Sequence, residues 1–242
     1  GSNIYVVQNF VEAWENFKPL RDQTYVNHEQ RYVDLHRPDG TPDVLQYIEH
    51  GTMNLVAQAE ILGHMSQTLS NSVLDNYHHL GDAASITDGL PYDPELGPYE
   101  ISEDGKSSGV KDDMWAFTSR NPGLDLRAAA TFAEASRALK GYNDDLSERA
   151  LIQSKRLLEE ATELLADQPE DEFSRWRAYA NLGTNLQLYI TTGDQQYADT
   201  FLETLWPALE NGLTFTILTA LHAIPHMDEG YKEKLRPYVM QY

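Results

Sequence analysis

Residues 106–123 read KSSGVKDDMWAFTSRNPG. Two adjacent carboxylates, Asp112 and Asp113, stand just ahead of Trp115. An indole beside acids suits carbohydrate: the flat ring stacks on a sugar's apolar face while carboxylates accept its hydroxyls. The competing readings are a solvated acid pair and a Trp that plugs the loop to the core. HLGDAASITDGLPYD, residues 79–93, has the same character, and its Asp82 and Asp88 cap turns or face a ligand.

Other chemistries find less support. His78 and His79 are neighbours, and adjacent histidines rarely ligate one ion; without a carboxylate at helical spacing they read as structural. Glu49-His50 reads the same way. No GxSxG, GxGxxG or Walker loop is present, so neither a serine nucleophile nor a nucleotide site has a signature. The absence of cysteine removes thiol nucleophiles, thiolate metal sites and disulfides.

The bulk numbers narrow the partners. A net charge of −20 repels nucleic-acid phosphates and anionic membranes. No apolar run reaches the ~18 residues of a membrane span, so no membrane insertion is expected. Gly1-Ser2 resembles a cloning scar.

Helices must position the acids. Ile4, Val7, Phe10, Val11, Trp14 and Phe17 share one face of a helix over 4–17, closed by Pro19. Residues 20–40 are polar and end in the turn signal RPDG. A second helix opens with Thr41 as N-cap, Pro42 in the first position and Asp43 favouring the dipole, and ends near Gly63. Residues 64–123 then read as one long irregular loop, too aromatic for a disordered linker, with SEDGKSSG as its most mobile part. From Leu124 onward the chain is helix after helix. The first is Ala-rich and ends at Gly141; the next takes Ser147 as N-cap; others end at Gly193 and run from Asp194 to Gly212, where Pro207 kinks or shortens the helix. LTFTILTALHAIPHM and a charged terminal helix follow. The short turns KGYNDD, TTGD and HMDEG imply αα-hairpins, with apolar helices alternating with charged ones as in the inner and outer layers of an α-toroid.

Four pieces in order, HRPDGTPDVLQYIEHG (36–51), YHHLGDAASITDGLPYDP (77–94), DGKSSGVKDDMWAFTSRNP (104–122) and AAATFAEASRALKGYND (128–144), resemble the catalytic domain of glycoside hydrolase family 9. The resemblance runs through most of the chain. It implies an all-α fold: part of an (α/α)6 barrel of six inner and six outer helices, built here as a single domain over 1–242. It makes the segment at about 64–123 the cleft loop, with Ala128, Ala129, Ala130, Ala133 and Ala135 allowing close packing in the barrel centre. It implies a β-linked glucan oligosaccharide or polysaccharide as partner, hydrolysed by an endoglucanase- or cellulase-like enzyme with inversion. In that chemistry an Asp base and a Glu acid stand roughly 6.5–9.5 Å apart. The family's base lies in an Asp-Ala-Gly-Asp motif upstream of the region matching residue 4. Its acid and a His-x-Arg segment lie downstream of the region matching Tyr242. Neither occurs in these residues. No catalytic residue is therefore carried over, and the chain is expected to be inactive alone. Asp82, Thr87, Asp88, Asp112, Asp113, Trp115 and Arg120 are expected as substrate-binding or wall residues. No cofactor or metal is expected, although some family members support the loop with calcium. The family implies a secreted or periplasmic protein. An incomplete toroid leaves inner apolar surface open, so a homo-oligomer covering it is expected. The reading from a different class is a non-catalytic helical carbohydrate-binding or scaffold domain. A protein-interaction solenoid would need a regular repeat and no aromatic loop, the reverse of this sequence.

Overall fold

A computed structural model of the chain describes residues 2–71, 88–116, 119–166 and 174–242. Backbone contacts divide it into two units, 1–65 with 121–242, and 66–120. The first is helical. In chain order it holds α1 Ser2–Phe17, α2 Asp43–Leu62, α3 Pro122–Leu139, α4 Asp144–Ala166, α5 Ser174–Thr192, α6 Gln195–Ala223 and α7 Glu229–Gln241. No described helix is long and apolar enough to cross a membrane.

The helix α3 is the axis of this unit. It packs against α1, α2, α4 and α5, and α5 in turn packs against α6. These paired helices are αα-hairpins, an arrangement consistent with part of an α/α toroid. The Ala-rich sequence explains the central place of α3: Ala128, Ala129, Ala133 and Ala135 are wholly buried. Short side chains let neighbouring helices approach α3 closely enough for hydroxyls to reach its carbonyls. Ser147 and Ser154 of α4 donate to Ser136 O at 2.7 Å and Ala129 O at 2.6 Å. Thr184 and Thr191 of α5 donate to Leu126 O at 2.7 Å and Ala133 O at 2.9 Å. Each bond satisfies a polar group that burial would otherwise penalise. The apolar stripe of α1 (Ile4, Val7, Val11) joins Ile48, Leu55, Val56, Phe132, Leu139 and Leu157 in one core. Phe201, Leu205, Ile217, Tyr231 and Leu235 form another with Leu182 and Leu186.

Several boundaries stand where local signals put them. Helix α2 ends at Gly63, which takes the left-handed φ of 72° that glycine tolerates. Asp194 caps α6 by accepting from Gln196 N at 3.1 Å. Others move. Thr41 does not cap α2; Pro42 occupies the cap position without a side-chain bond. The Asp43 carboxylate instead receives Gln23 N and Thr24 N at 3.0 and 2.9 Å. It thereby ties down a short antiparallel pair, β1 Tyr25–Asn27 with β2 Tyr32–Asp34, in a stretch that reads from sequence only as polar and ending in a turn. Ser147 lies inside α4, its hydroxyl spent on α3, while Asn143 accepts from Leu146 N at 3.0 Å. Helix α6 passes through Pro207 and breaks at Gly212, where φ is −163° and ψ 57°.

The second unit covers most of the long segment set apart in the sequence. It contains strands as well as loop: β3 Leu69–Asn71 pairs antiparallel with β4 Met114–Ala116. The SEDGKSSG stretch is a hydrogen-bonded turn, with Ser102 N donating to Ser107 O at 2.9 Å and Gly109 N to Glu100 O at 2.8 Å.

Candidate functional site

The N-terminal halves of α1, α3 and α5 and the part of α6 beyond Gly212 meet at one open cleft of about 960 Å³. Helix α1 brings Tyr5 and Gln8, α3 brings Arg127 and Ala130, α5 brings Tyr179 and Gly183, and the part of α6 beyond Gly212 brings Phe215 and Thr219. Each pair is three or four residues apart, so each helix shows the cleft one face. The Tyr179 and Phe215 rings lie tilted with centroids 6.0 Å apart. The Arg127 guanidinium donates to Tyr5 Oη at 2.6 Å and holds that ring at the mouth. Phe215 is 55% exposed, and Tyr5 is 47% exposed.

One turn further along the same faces lies a second hollow of about 230 Å³, sharing Gln8, Ala130, Gly183 and Thr219 with the first and adding Glu12, Glu134, Gln187 and His222. Glu134 is only 2% exposed. Gln8 Nε2 donates to its Oε1 at 3.5 Å, and its Oε2 has no hydrogen-bond partner. Burial pushes its pKa up to about 8; the Arg137 charge pulls it down, while Glu12 and Glu15 push it higher. Glu134 is therefore a neutral acid at pH 7. Beyond it, Arg137 grips Glu15 through two hydrogen bonds and also donates to Thr191 Oγ1 at 2.7 Å and Gln187 Oε1 at 3.1 Å. The pKa of His226 is lowered, first by burial and then by His222 and Arg137, with Glu15 acting the other way.

The residues singled out from sequence belong to the second unit. Asp112 Oδ2 accepts from Asp88 N at 2.6 Å, and Asp113 Oδ2 accepts from Tyr92 N at 2.5 Å. Asp88 receives the Ser108 hydroxyl and, at 2.8 Å, Leu90 N. The Ser108 bond, followed by that from Leu90, holds the Asp88 carboxyl below its usual range. Asp88, Asp112 and Asp113 thus form one cluster whose oxygens fasten loop amides, while Asp112 Oδ1 is buried without a partner. Trp115 is the middle residue of β4, opposite Ser70. Arg120 is exposed at the end of this unit. Asp82 and Thr87 lie outside the described residues, as do His78 and His79. Among the described residues no group of three or more His, Asp or Glu side chains is placed to hold a metal ion.

Sequence reasoning missed the cleft and Glu134. The signal was a single carboxylate inside AAATFAEASRAL, but one acid per few turns is also what a solvent-facing helix edge carries.

No protein-family model matches the chain, and no curated protein matches it. Solved structures do. A zinc-binding triple mutant of the glycoside hydrolase family 9 endoglucanase J30 matches with a TM-score of 0.60 and 16% identity, over 99% of this chain and 42% of that one. A Bacteroides ovatus family 9 glycoside hydrolase matches with a TM-score of 0.55 and 15% identity, over 98% of this chain and 41% of that one. A metagenome-derived family 9 endoglucanase matches with a TM-score of 0.50 and 15% identity, over 83% and 32%. The chain shares the fold of these family 9 glycoside hydrolases at a distance, and it spans less than half the length of each.

Proposed function

We propose that this chain is the central part of a β-glucan-acting glycoside hydrolase and that its cleft binds a β-linked glucose oligomer. The observation that carries the reading is the convergence of four helices on one cleft edged by Tyr5, Tyr179 and Phe215. Exposed rings offer stacking surfaces to sugar faces, and the Gln, Thr and Arg groups between them suit sugar hydroxyls. The fold shared with family 9 endoglucanases supports the same substrate class. On the second unit, Trp115, Arg120, Asp82, Thr87, Asp88, Asp112 and Asp113 are further proposed sugar contacts; Asp112 Oδ1, buried without a partner, is the acceptor on which a hydroxyl has least competition. The parent enzyme inverts configuration and works outside the cytoplasm, and this chain alone releases no product.

The test pairs binding with turnover. Titration calorimetry uses glucose hexamers of β-1,4, β-1,3 and mixed linkage, and product release from the corresponding polysaccharides is followed for this chain and for its full reading frame. Binding by the chain with turnover only by the full frame is the expected result. Turnover by the chain itself would place the catalytic carboxylates within residues 1–242. Binding without turnover by the full frame would identify a non-catalytic carbohydrate-binding domain, and no binding at all would sink the glucan reading.

Leu218, 65% exposed, lies one turn beyond Phe215 on the same apolar face of α6. Two copies covering this face would form a homo-oligomer that competes with sugar for the cleft edge at Phe215. Sedimentation at micromolar concentration should show a dimer or larger species that Leu218→Glu dissociates; a clean monomer argues against it.

A further inference from the structure

The hollow beyond the main cleft contains a polar group with unmet bonding capacity. Glu134 sits in its wall on the innermost helix, α3. One of its oxygens has no partner and the other has only the 3.5 Å contact from Gln8, at the outer limit of hydrogen bonding. A buried carboxyl in that condition carries a free-energy cost that a ligand hydroxyl can relieve. The hollow holds several waters' worth of space at ~30 Å³ each. It shares a wall with the cleft, so a sugar edge entering the cleft reaches it.

We propose that Glu134 is the recognition residue of a deep sugar subsite, where its carboxyl exchanges hydrogen bonds with a ring hydroxyl while Gln8 turns aside. The inference rests on the glucan reading and adds to it a residue and a protonation state. A neutral acid presents one donor and one acceptor, matching a sugar hydroxyl, which also does both. The ionised form loses the donor. Ionisation would also place a third carboxylate beside Glu12 and Glu15 of α1. The cations facing it are Arg137 on its own helix and, when protonated, His222 of α6; α5 presents only the neutral Gln187. With a titration midpoint near 8, the binding form dominates at neutral pH and is lost in mild alkali.

The experiment is calorimetric titration of the full chain with the tightest-binding hexamer of the panel above, at pH 6 and pH 9.5. The expected affinity of the unaltered chain falls roughly tenfold between the two, as loss of one good hydrogen bond implies. Glu134→Gln, which keeps donor and acceptor at every pH, binds equally at both. Glu134→Leu binds roughly tenfold more weakly than Glu134→Gln at pH 6, a comparison that does not depend on behaviour at high pH. Equal affinities for the Gln and Leu variants at pH 6 overturn the subsite while leaving the glucan reading standing. So does a pH dependence that Glu134→Gln retains. Absence of binding by the unaltered chain at pH 6 removes both.

Discussion

Arg137 and Glu15 face each other through two parallel hydrogen bonds, Nε to Oε1 at 2.7 Å and Nη2 to Oε2 at 3.0 Å, joining α3 to α1 across 122 residues of sequence. The same guanidinium reaches Gln187 and Thr191 of α5. One side chain therefore fixes three helices whose opposite halves line the cleft. The planar fork of Arg suits this work, since each of its donors has a set direction.

Arg137→Met should destabilise the helical unit by roughly 2 kcal/mol, because it leaves Glu15 without its cation and Gln187 without its donor. It should also raise the Glu134 titration further, since the Arg137 charge is the main influence lowering it. Denaturant unfolding measures the first effect. Carbon-13 chemical shifts of the Glu134 carboxyl across pH measure the second, and an unmoved titration would show that Arg137 does not act on Glu134.

Glu134 makes stability fall as pH rises. Its carboxyl titrates near 4.5 when unfolded and near 8 when folded, so between those values the unfolded chain has lost a proton that the folded chain keeps. The loss begins near pH 4.5 and levels off above pH 8. Glu134→Gln removes the titration. The variant should gain little at pH 4, roughly 3 kcal/mol at pH 7 and roughly 5 kcal/mol at pH 9. Melting curves at those three pH values check it; a gain independent of pH would contradict the buried neutral acid.

Gly212 sets where Tyr179 can stand. A Cβ there would overlap the Tyr179 hydroxyl and lie 3.2 Å from its ring carbon Cζ. Gly212→Ala should push Tyr179 out of place, cost about 1–3 kcal/mol and weaken hexamer binding. Pairing it with Tyr179→Phe, which removes the obstructing oxygen, should restore part of the stability. A lack of coupling in that double-mutant cycle would show that the ring moves freely.

In the second unit, Gly109 packs against the Gly97 backbone so closely that any side chain would overlap its carbonyl oxygen. Backbone cannot turn aside as a side chain can. Gly109→Ala should break the Gly109 N to Glu100 O bond and abolish amide-exchange protection at Gly109 and Ser102, while amides of α3 and α4 keep theirs. Retained protection at Gly109 would show that the loop can absorb the methyl group.

Helix existence was legible in the sequence because its signals are local. The apolar spacing of α1, the Ala-rich run of α3, Gly63, Gly193 and Asp194 each state a backbone preference that neighbouring residues suffice to express. Asp112 and Asp113 were visible as neighbours, but nothing local showed that their oxygens would take Asp88 N and Tyr92 N, 24 and 21 positions away. Thr41 and Ser147 carried good cap chemistry, but α2 begins at Asp43 with Pro42 in the cap position, and the Ser147 hydroxyl is taken by Ser136 O of α3. Composition and periodicity thus determined an all-helical chain of paired helices with one acid- and aromatic-rich excursion. Only the tertiary structure decided which faces of α1, α3, α5 and α6 point at one another. Periodicity places residues on a face but does not say what that face meets. Glu134 becomes a buried neutral acid because the helices packed around α3 take it out of water and because Glu12 and Glu15 of α1, more than 115 residues away in sequence, add their charges, against the opposing pull of Arg137 and Gln8.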